Sequence, residues 1–189
     1  MSQAAAKNTQ SSKFSVREIC YTGLFAAVIA VMALISIPMP LGVPMTMQTF
    51  AITLAAVVLG SKLSAMASLV YLILGAVGVP VLASFSGGID KFVGPTGGFL
   101  ISFPLMAYII GLGVEHRNAF KGAFPLAVVV GTVVNYIVGV ILFVIVAHST
   151  VAVAISACVL PFIPTAILKA VLACAIGLNI RKRIPGLKA

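Results

Sequence analysis

The sequence predicts an all-α membrane protein with six transmembrane helices, and its composition is the first reason. Of the 189 residues, 61% are hydrophobic and only 8% are charged, and the mean hydropathy is +1.22. A soluble domain is about half apolar and about one quarter charged. Since about 20 apolar residues cross a bilayer, the chain has room for about six crossings and for no separate soluble domain.

The second reason is that charges and helix breakers divide the chain into six apolar segments. The proline- and glycine-rich PMPLGVP at 38–44 ends the first segment, and His148, Ser149 and Thr150 provide the turn before the last. The predicted helices are 19–37, 46–60, 63–82, a fourth from the GPTGG stretch at 94–98 to residue 114, 121–147 and 151–179. The sixth contains Pro161 and Pro164, which predict a kink or a break.

The third reason is the distribution of basic residues. With six crossings, both termini lie on the same side, and ten of the twelve lysines and arginines lie there too. The positive-inside rule makes this side cytoplasmic, so we expect a multi-pass plasma-membrane protein with cytoplasmic N and C termini. The two exceptions are Lys91 and Lys169, and each needs a separate explanation.

The polar ends of the chain complete the predicted domain organisation. Residues 1–16 are expected to form a disordered cytoplasmic tail, 17–184 the six-helix membrane domain and 185–189 a short cytoplasmic tail.

Several classes of function are not expected. The net charge of +9 is scattered in short groups between apolar segments, so it indicates membrane topology and not a nucleic-acid surface. Cys20, Cys158 and Cys174 are isolated, which argues against a metal site or a disulfide. His116 and His148 lie in predicted loops, and neither an HExxH nor a GxSxG motif occurs, so we expect neither an enzyme nor a cofactor.

Lys169 is the main candidate for a functional residue. It lies twelve residues before Arg181, which places it about 18 Å from the cytoplasmic end of the sixth helix. A charge near the bilayer centre costs about 2.5 to 3.5 kcal/mol on insertion scales and usually faces a cavity. Three explanations stay open: a neutral lysine, an internal ion pair with Asp90, or a ligand such as a small carboxylic acid that supplies the anion.

A glycine-rich loop, FSGGIDKFVGPTGGFL at 85–100, connects the third and fourth helices on the predicted external side. Backbone without side chains can approach a ligand closely, which favours a ligand-covering loop over a simple tight turn. The G-x-x-x-x-G-K-[ST] order is absent, so no nucleotide site is expected. The candidate ligand-binding residues of the loop are Phe85, Ser86, Gly87, Gly88, Asp90, Gly97 and Gly98.

Polar side chains inside the predicted helices are further candidates. Each can form an interhelical hydrogen bond or line a ligand pocket. They are Gln48, Tyr71, Tyr108, Asn135 and Tyr136.

Small residues in the first helix have small-xxx-small spacing. They are Gly23, Ala26, Ala27 and Ala30. Such spacing lets membrane helices approach closely, either within the protein or at an interface with another protein.

Four sequence motifs together carry a resemblance to a known family. They are VPMTMQTFA at 43–51, LGSKLSAMASLVYLILGAVGVPV at 59–81, FSGGIDKFVGPTGGFLISFP at 85–104 and PTAILK at 164–169. These motifs, spread over nearly the whole chain, resemble the BioY family, the biotin-binding S components of energy-coupling factor transporters. The resemblance implies a six-helix subunit in the lipid bilayer that captures biotin from outside with high affinity. It also implies a transmembrane coupling protein and two cytoplasmic ATPases as partners.

The resemblance also assigns roles to individual residues. Lys169 matches the lysine of the family's sixth helix, and residues 85–98 match its ligand-covering loop. Gly23 and Ala27 match a small-residue contact with the coupling protein, which favours the interface reading of that spacing.

One position departs from the family pattern. Members often have an aspartate three residues before the helix 6 lysine, where it can contact the ureido ring, and this chain has Ala166. Either the ureido contact comes from Asp90, Ser86 or Asn135, or the ligand is another small carboxylate vitamin. A secondary carrier that works without partners and a purely structural subunit are the alternative functions.

Overall fold

The computed structural model describes residues 15–39, 43–118 and 122–184, which form eight α-helices and one short β-hairpin. The helices are α1 (Val16–Leu34), α2 (Gln48–Leu59), α3 (Ser61–Ala76), α4 (Asp90–Val93), α5 (Gly97–Glu115), α6 (Ala123–Val146), α7 (Val151–Cys158) and α8 (Ile163–Arg183). The hairpin pairs β1 (Ser36–Ile37) antiparallel with β2 (Met45–Thr46).

The predicted all-α membrane class is confirmed by the length and hydropathy of these helices. In the described part of the chain, four helical segments are long and apolar enough to cross a bilayer: α1, α5, α6 and the combined segment Val151–Arg183. The apolar helices α2 and α3 are shorter, with 12 and 16 residues. At about 1.5 Å per residue, α2 is about 18 Å long, less than the roughly 30 Å hydrocarbon core of a bilayer.

The short helix α2 lies at the centre of the bundle. All its residues except Thr49 are buried, and it contacts α1, α3, α5 and α8. A helix that is apolar on every face is suited to such a position. Gly60, with φ of +83°, turns the chain directly into α3. The sequence predicts the end of the second helix near this residue.

Two predicted helices end earlier than expected. The first was predicted to reach residue 37, but α1 ends at Leu34 because Ser36–Ile37 pairs with Met45–Thr46. The third was predicted to reach residue 82, but α3 ends at Ala76 and is followed by irregular chain with a 3₁₀ turn at Ala83–Phe85.

The predicted interruption of the last helix is confirmed. The chain leaves α7 at Cys158, passes through a 3₁₀ turn at Leu160–Phe162 and enters α8 at Ile163. Pro161 lies in that turn, where the missing proline N–H removes no hydrogen bond from an α-helix.

The predicted tails lie mostly outside the described residues. Ser15 precedes α1 and Val16 is already its first residue, so the helix begins inside the predicted tail 1–16. Residues 119–121 are also outside, and α6 is described from Ala123.

The bundle has two chemically different ends. The end that carries Arg17, Lys62, Arg117 and Arg181 is called the basic end below. There the Arg181 guanidinium donates hydrogen bonds of 3.2 and 3.0 Å to the last carbonyl groups of α2. The opposite end, called the loop end, contains the hairpin, residues 77–96 and the turn between α6 and α7.

Candidate ligand-binding site

A cavity of about 290 Å³ opens at the loop end of the bundle. Its size is near the lower limit of about 300 Å³ that is typical of small-molecule pockets. The apolar lining residues are Val43, Pro44, Leu82, Ala83, Phe99, Leu100, Phe103, Cys158, Phe162 and Ala166. The polar lining residues are Thr46, Gln48, Thr49, Ser84, Ser86, Lys91, Thr96, Asn135, Tyr136, Thr165 and Lys169. The cavity can thus hold a small, largely apolar molecule at a few polar contacts.

Lys169 lies in the cavity wall, on the first half of α8. Pro164 stands at the beginning of this helix, where a fixed φ and a missing N–H cost nothing. The half-buried Lys169 side chain donates a hydrogen bond of 2.7 Å from Nζ to the carbonyl oxygen of Thr46 in β2. Ala166, three residues earlier, lines the same cavity, as the i, i+3 spacing of a helix face requires.

None of the three acidic side chains of the protein neutralises Lys169. Glu18 accepts a hydrogen bond at the N terminus of α1, and Glu115 accepts hydrogen bonds at the N terminus of α3. Asp90 pairs with Lys91 at 3.1 Å, with a side chain that is 66% exposed. Among the described residues, the internal pair between Lys169 and Asp90 is therefore not formed, and the positive charge faces the cavity.

Gln48 and Tyr71 form a polar network beside this charge. The Gln48 amide oxygen accepts a hydrogen bond of 2.8 Å from the Thr46 hydroxyl, and its Nε2 donates to the Tyr71 hydroxyl. Gln48 lines the cavity, whereas Tyr71 is fully buried outside its lining. Tyr71 thus orients Gln48, which in turn supports the hairpin residue that holds Lys169.

Asn135 places an amide group in the cavity wall from α6. Its Nδ2 donates to the Phe99 carbonyl at 3.1 Å and to the Ser102 hydroxyl at 2.7 Å. The Oδ1 atom accepts no hydrogen bond from the described residues, so it can accept one from a ligand.

The residues predicted in the glycine-rich loop are divided between two locations. Ser86 lines the cavity. Phe85, Gly87, Gly88 and Asp90 lie outside its lining, and the Phe85 side chain is 69% exposed.

The glycines that begin α5 have a packing role. Gly97 and Gly98 are buried outside the cavity lining. An added Cβ on Gly97 would collide with the backbone of Phe92, and one on Gly98 would collide with the Val138 carbonyl of α6. Both positions therefore need glycine for close backbone approach.

Sequence reasoning missed Lys91 as a lining residue. It lies next to the predicted Asp90, lines the cavity and has a side chain that is 43% exposed. A signal was present, because Lys91 is one of the two basic residues outside the predicted cytoplasmic side. Thr46, Ser84 and Thr96 also line the cavity without having been assigned to it, whereas Tyr136, one of the polar candidates in the predicted helices, lines it as that alternative required.

The small residues of α1 lie on two different faces of the helix. Gly23 and Ala27 are exposed, and an added Cβ at Gly23 would meet no atom within 4 Å. Ala26 is buried and Ala30 is partly buried against the core. Gly23 and Ala27 thus belong to the outer surface of the described bundle.

Comparisons with known proteins agree with these features. The family model described as the BioY family matches residues 6–186. The "Biotin transporter BioY" of Thermotoga maritima is 41% identical over 168 residues, which cover 88% of this chain and 97% of that protein. The "Biotin transporter BioY" of Rhizobium etli is 34% identical over 186 residues, which cover 93% of this chain and 98% of that protein.

A solved structure is similar over the same extent. It is the crystal structure at 2.1 Å of the S-component for biotin from an ECF-type ABC transporter, with a TM-score of 0.79 and 28% identity. The match covers 88% of this chain and 92% of the other. On the length of the family match and the near-complete coverage of these relatives, the chain belongs to the BioY family.

Proposed function

We propose that this protein is the high-affinity biotin-binding membrane subunit of a vitamin uptake transporter. The observation that carries the proposal is the Lys169 ammonium group, which faces the cavity without an acidic partner among the described residues. A carboxylate that enters this cavity gains more from the pairing than it would in water, because the surroundings are apolar. The relatives named as biotin transporters and the biotin S-component support biotin as the carboxylate.

The chemistry of biotin matches the lining of the cavity. Its carboxylate pairs with Lys169, while its alkyl chain and bicyclic ring pack against the aromatic wall of Phe99, Phe103 and Phe162. A ureido N–H donates to the free Oδ1 of Asn135, which compensates for the alanine at position 166. Binding breaks no bond, so the protein acts without catalysis and without a cofactor.

The proposed membrane topology has six crossings, made by α1, α2, α3, α5, α6 and the combined α7 and α8. The basic end lies in the cytoplasm with both termini, and the loop end with its glycine-rich segment faces outside, from where biotin enters. The positive-inside rule supports this orientation. The burial of α2 supports a crossing despite its length, because its neighbours separate it from lipid. The plasma membrane is the proposed location.

The proposed partners are a transmembrane coupling protein and two cytoplasmic ATPases. No motif of this sequence binds nucleotide, so active uptake depends on other subunits. The exposed Gly23 and Ala27 give α1 a flat outer stripe that permits close packing of a partner helix.

Titration calorimetry of biotin against the purified chain tests the proposal directly. We expect Lys169→Gln to weaken binding by roughly 30-fold or more, because removal of one partner of a buried charge pair costs about 2 kcal/mol or more. Lys62→Gln, an exposed lysine at the basic end, is the matched control and leaves the affinity unchanged. Thermal unfolding of both variants establishes that they fold.

Three results would redirect the proposal. Unchanged biotin affinity of a folded Lys169→Gln variant contradicts the assigned site. Tighter binding of lipoate or another carboxylate vitamin than of biotin identifies that vitamin as the ligand. Ion-gradient-driven uptake by liposomes that contain this chain alone identifies a secondary carrier.

A further inference from the structure

The cavity wall contains a second lysine, Lys91, whose surroundings differ from those of Lys169. Lys91 lies in the four-residue helix α4, between α3 and α5, and its side chain is 43% exposed. Lys169 lies within α8, where its half-buried ammonium group donates to a backbone carbonyl. Lys91 is thus at the rim of the cavity, in contact with water, and Lys169 is farther inside.

A charge at the rim and a charge inside affect binding differently. An exposed ion pair adds little to the free energy of a bound state, because water and salt screen it. The same charge acts over distance on an approaching ion and raises the rate of encounter. A desolvated charge such as that of Lys169 mainly changes how slowly the ligand leaves.

Asp90 reduces the field of Lys91. Its Oδ2 lies 3.1 Å from the Lys91 ammonium group. Gly88 has a φ of +108°, in the left-handed region, and leaves room for the carboxylate, because an added Cβ there would collide with Asp90 Oδ1. Among the described residues of the loop end, Lys91, Asp90 and Lys169 are the charged side chains at neutral pH.

We propose that Lys91 is a steering residue, which attracts a carboxylate ligand to the cavity and sets its association rate, while Lys169 sets its dissociation rate. Asp90 lowers the association rate by partly neutralising Lys91. The inference rests on the proposed function, since it takes biotin as the ligand, and it adds a kinetic role for a residue that was not predicted as part of the site.

The test is to measure biotin association and dissociation rates by surface plasmon resonance, with the full chain in nanodiscs of uncharged lipid. The variants are Lys91→Gln and Asp90→Asn, with Lys62→Gln at the basic end as the matched control. The salt concentration is varied from about 0.01 M to about 1 M, over which the Debye length falls from about 30 Å to about 3 Å.

At low salt, we expect Lys91→Gln to slow association by roughly two- to fivefold and Asp90→Asn to accelerate it by a similar factor. Both differences disappear at high salt, both dissociation rates change by less than about twofold, and the control matches the wild type. Equal association rates for Lys91→Gln and the wild type at low salt would overturn the inference, as would an effect on dissociation alone. A wild-type chain that binds no biotin would refute the proposed function, and the inference with it.

Discussion

At the scale of single residues, the charge of Lys169 is held by a backbone carbonyl and not by an acid. The carbonyl of Thr46 satisfies one of the three N–H donors of the ammonium group and leaves its net charge intact. A carboxylate partner within the protein would cancel that charge before a ligand arrived. The hydrogen bond to Thr46 therefore positions the cation and still leaves it available to an anion.

Asn135 gives a prediction for a neutral residue of the cavity. Replacement by leucine removes hydrogen bonds to the Phe99 carbonyl and the Ser102 hydroxyl, together with the free Oδ1. We expect a lower unfolding midpoint, corresponding to about 1 kcal/mol for interhelical hydrogen bonds in a membrane protein, and weaker biotin binding. Thermal unfolding in detergent and titration calorimetry measure the two effects.

The matched control for this prediction is Thr132→Val on the same helix. The Thr132 hydroxyl donates to the Val128 carbonyl of its own helix, so its loss leaves contacts between helices unchanged. Wild-type stability and affinity of Asn135→Leu would show that the amide group neither connects α5 with α6 nor contacts the ligand.

The sequence could predict cavity residues that are recognisable from their burial, but not residues whose place in the site depends on which way a side chain points. Lys169 was recognisable because an isolated charge in a long apolar segment must face protein or water. Asp90 and Lys91 are neighbours in a segment without periodicity, so the sequence does not show which of them turns toward the cavity. Thr46 contributes its main-chain oxygen, which is common to all residue types and gives no signal.

At the scale of secondary-structure elements, the contact between α3 and α5 depends on a glycine. An added Cβ on Gly111 would collide with the backbone of Ser61 at the start of α3. Ser61 in turn donates hydrogen bonds from its N–H and its hydroxyl to Glu115, one turn further along α5. Close backbone approach therefore brings Glu115 to the N terminus of α3, where a negative charge is favourable.

Gly111→Ala is accordingly expected to destabilise the protein. Because backbone atoms cannot move aside as a side chain can, we expect a loss of about 1 to 3 kcal/mol in the free energy of unfolding, typical of overpacking. The unfolding midpoint in detergent measures the loss. Gly23→Ala is the control: its added Cβ meets no atom within 4 Å, and alanine favours a helix by up to about 1 kcal/mol. An unchanged midpoint for Gly111→Ala would contradict the packing argument.

Helix boundaries could be predicted where they depend on local chemistry. Gly60 separates α2 from α3, and Pro161 lies in the turn between α7 and α8, both at the predicted places. The end of α1 depends on a distant partner, since β1 pairs with a strand about ten residues later in the chain. Hydrophobic periodicity contains no information about that pairing, and the prediction extended α1 by three residues.

At the scale of the whole molecule, the cavity and the attachment of α8 to α2 lie at opposite ends of the bundle. The loop end contains the cavity, with Lys169 and Lys91 in its wall. The basic end carries arginine and lysine side chains, among which Arg181 donates to the last carbonyls of α2 and so connects α8 to the central helix. This connection gives α8 a fixed position at one end, while Lys169 contacts the hairpin at the other.

The orientation of these two ends in the membrane is the last prediction. A cysteine is placed at His148, in the turn between α6 and α7 at the loop end, or at Lys62, exposed at the basic end. The background has Cys20 and Cys174 replaced by alanine, and it keeps Cys158, which is buried and lines the cavity. In intact cells, we expect a membrane-impermeant maleimide to label the cysteine at 148 and not the one at 62, because the positive-inside rule places the basic end in the cytoplasm.

Two controls make the labelling interpretable. After the cells are permeabilised, both cysteines must react, which shows that each side chain is accessible to the reagent. Biotin binding by both variants shows that the cavity is intact, since neither position lines it. Labelling of only the cysteine at 62 in intact cells would show the opposite orientation. Labelling at both positions would contradict the placement of the two ends on opposite sides of the bilayer. In either case biotin would not enter from outside through the loop end.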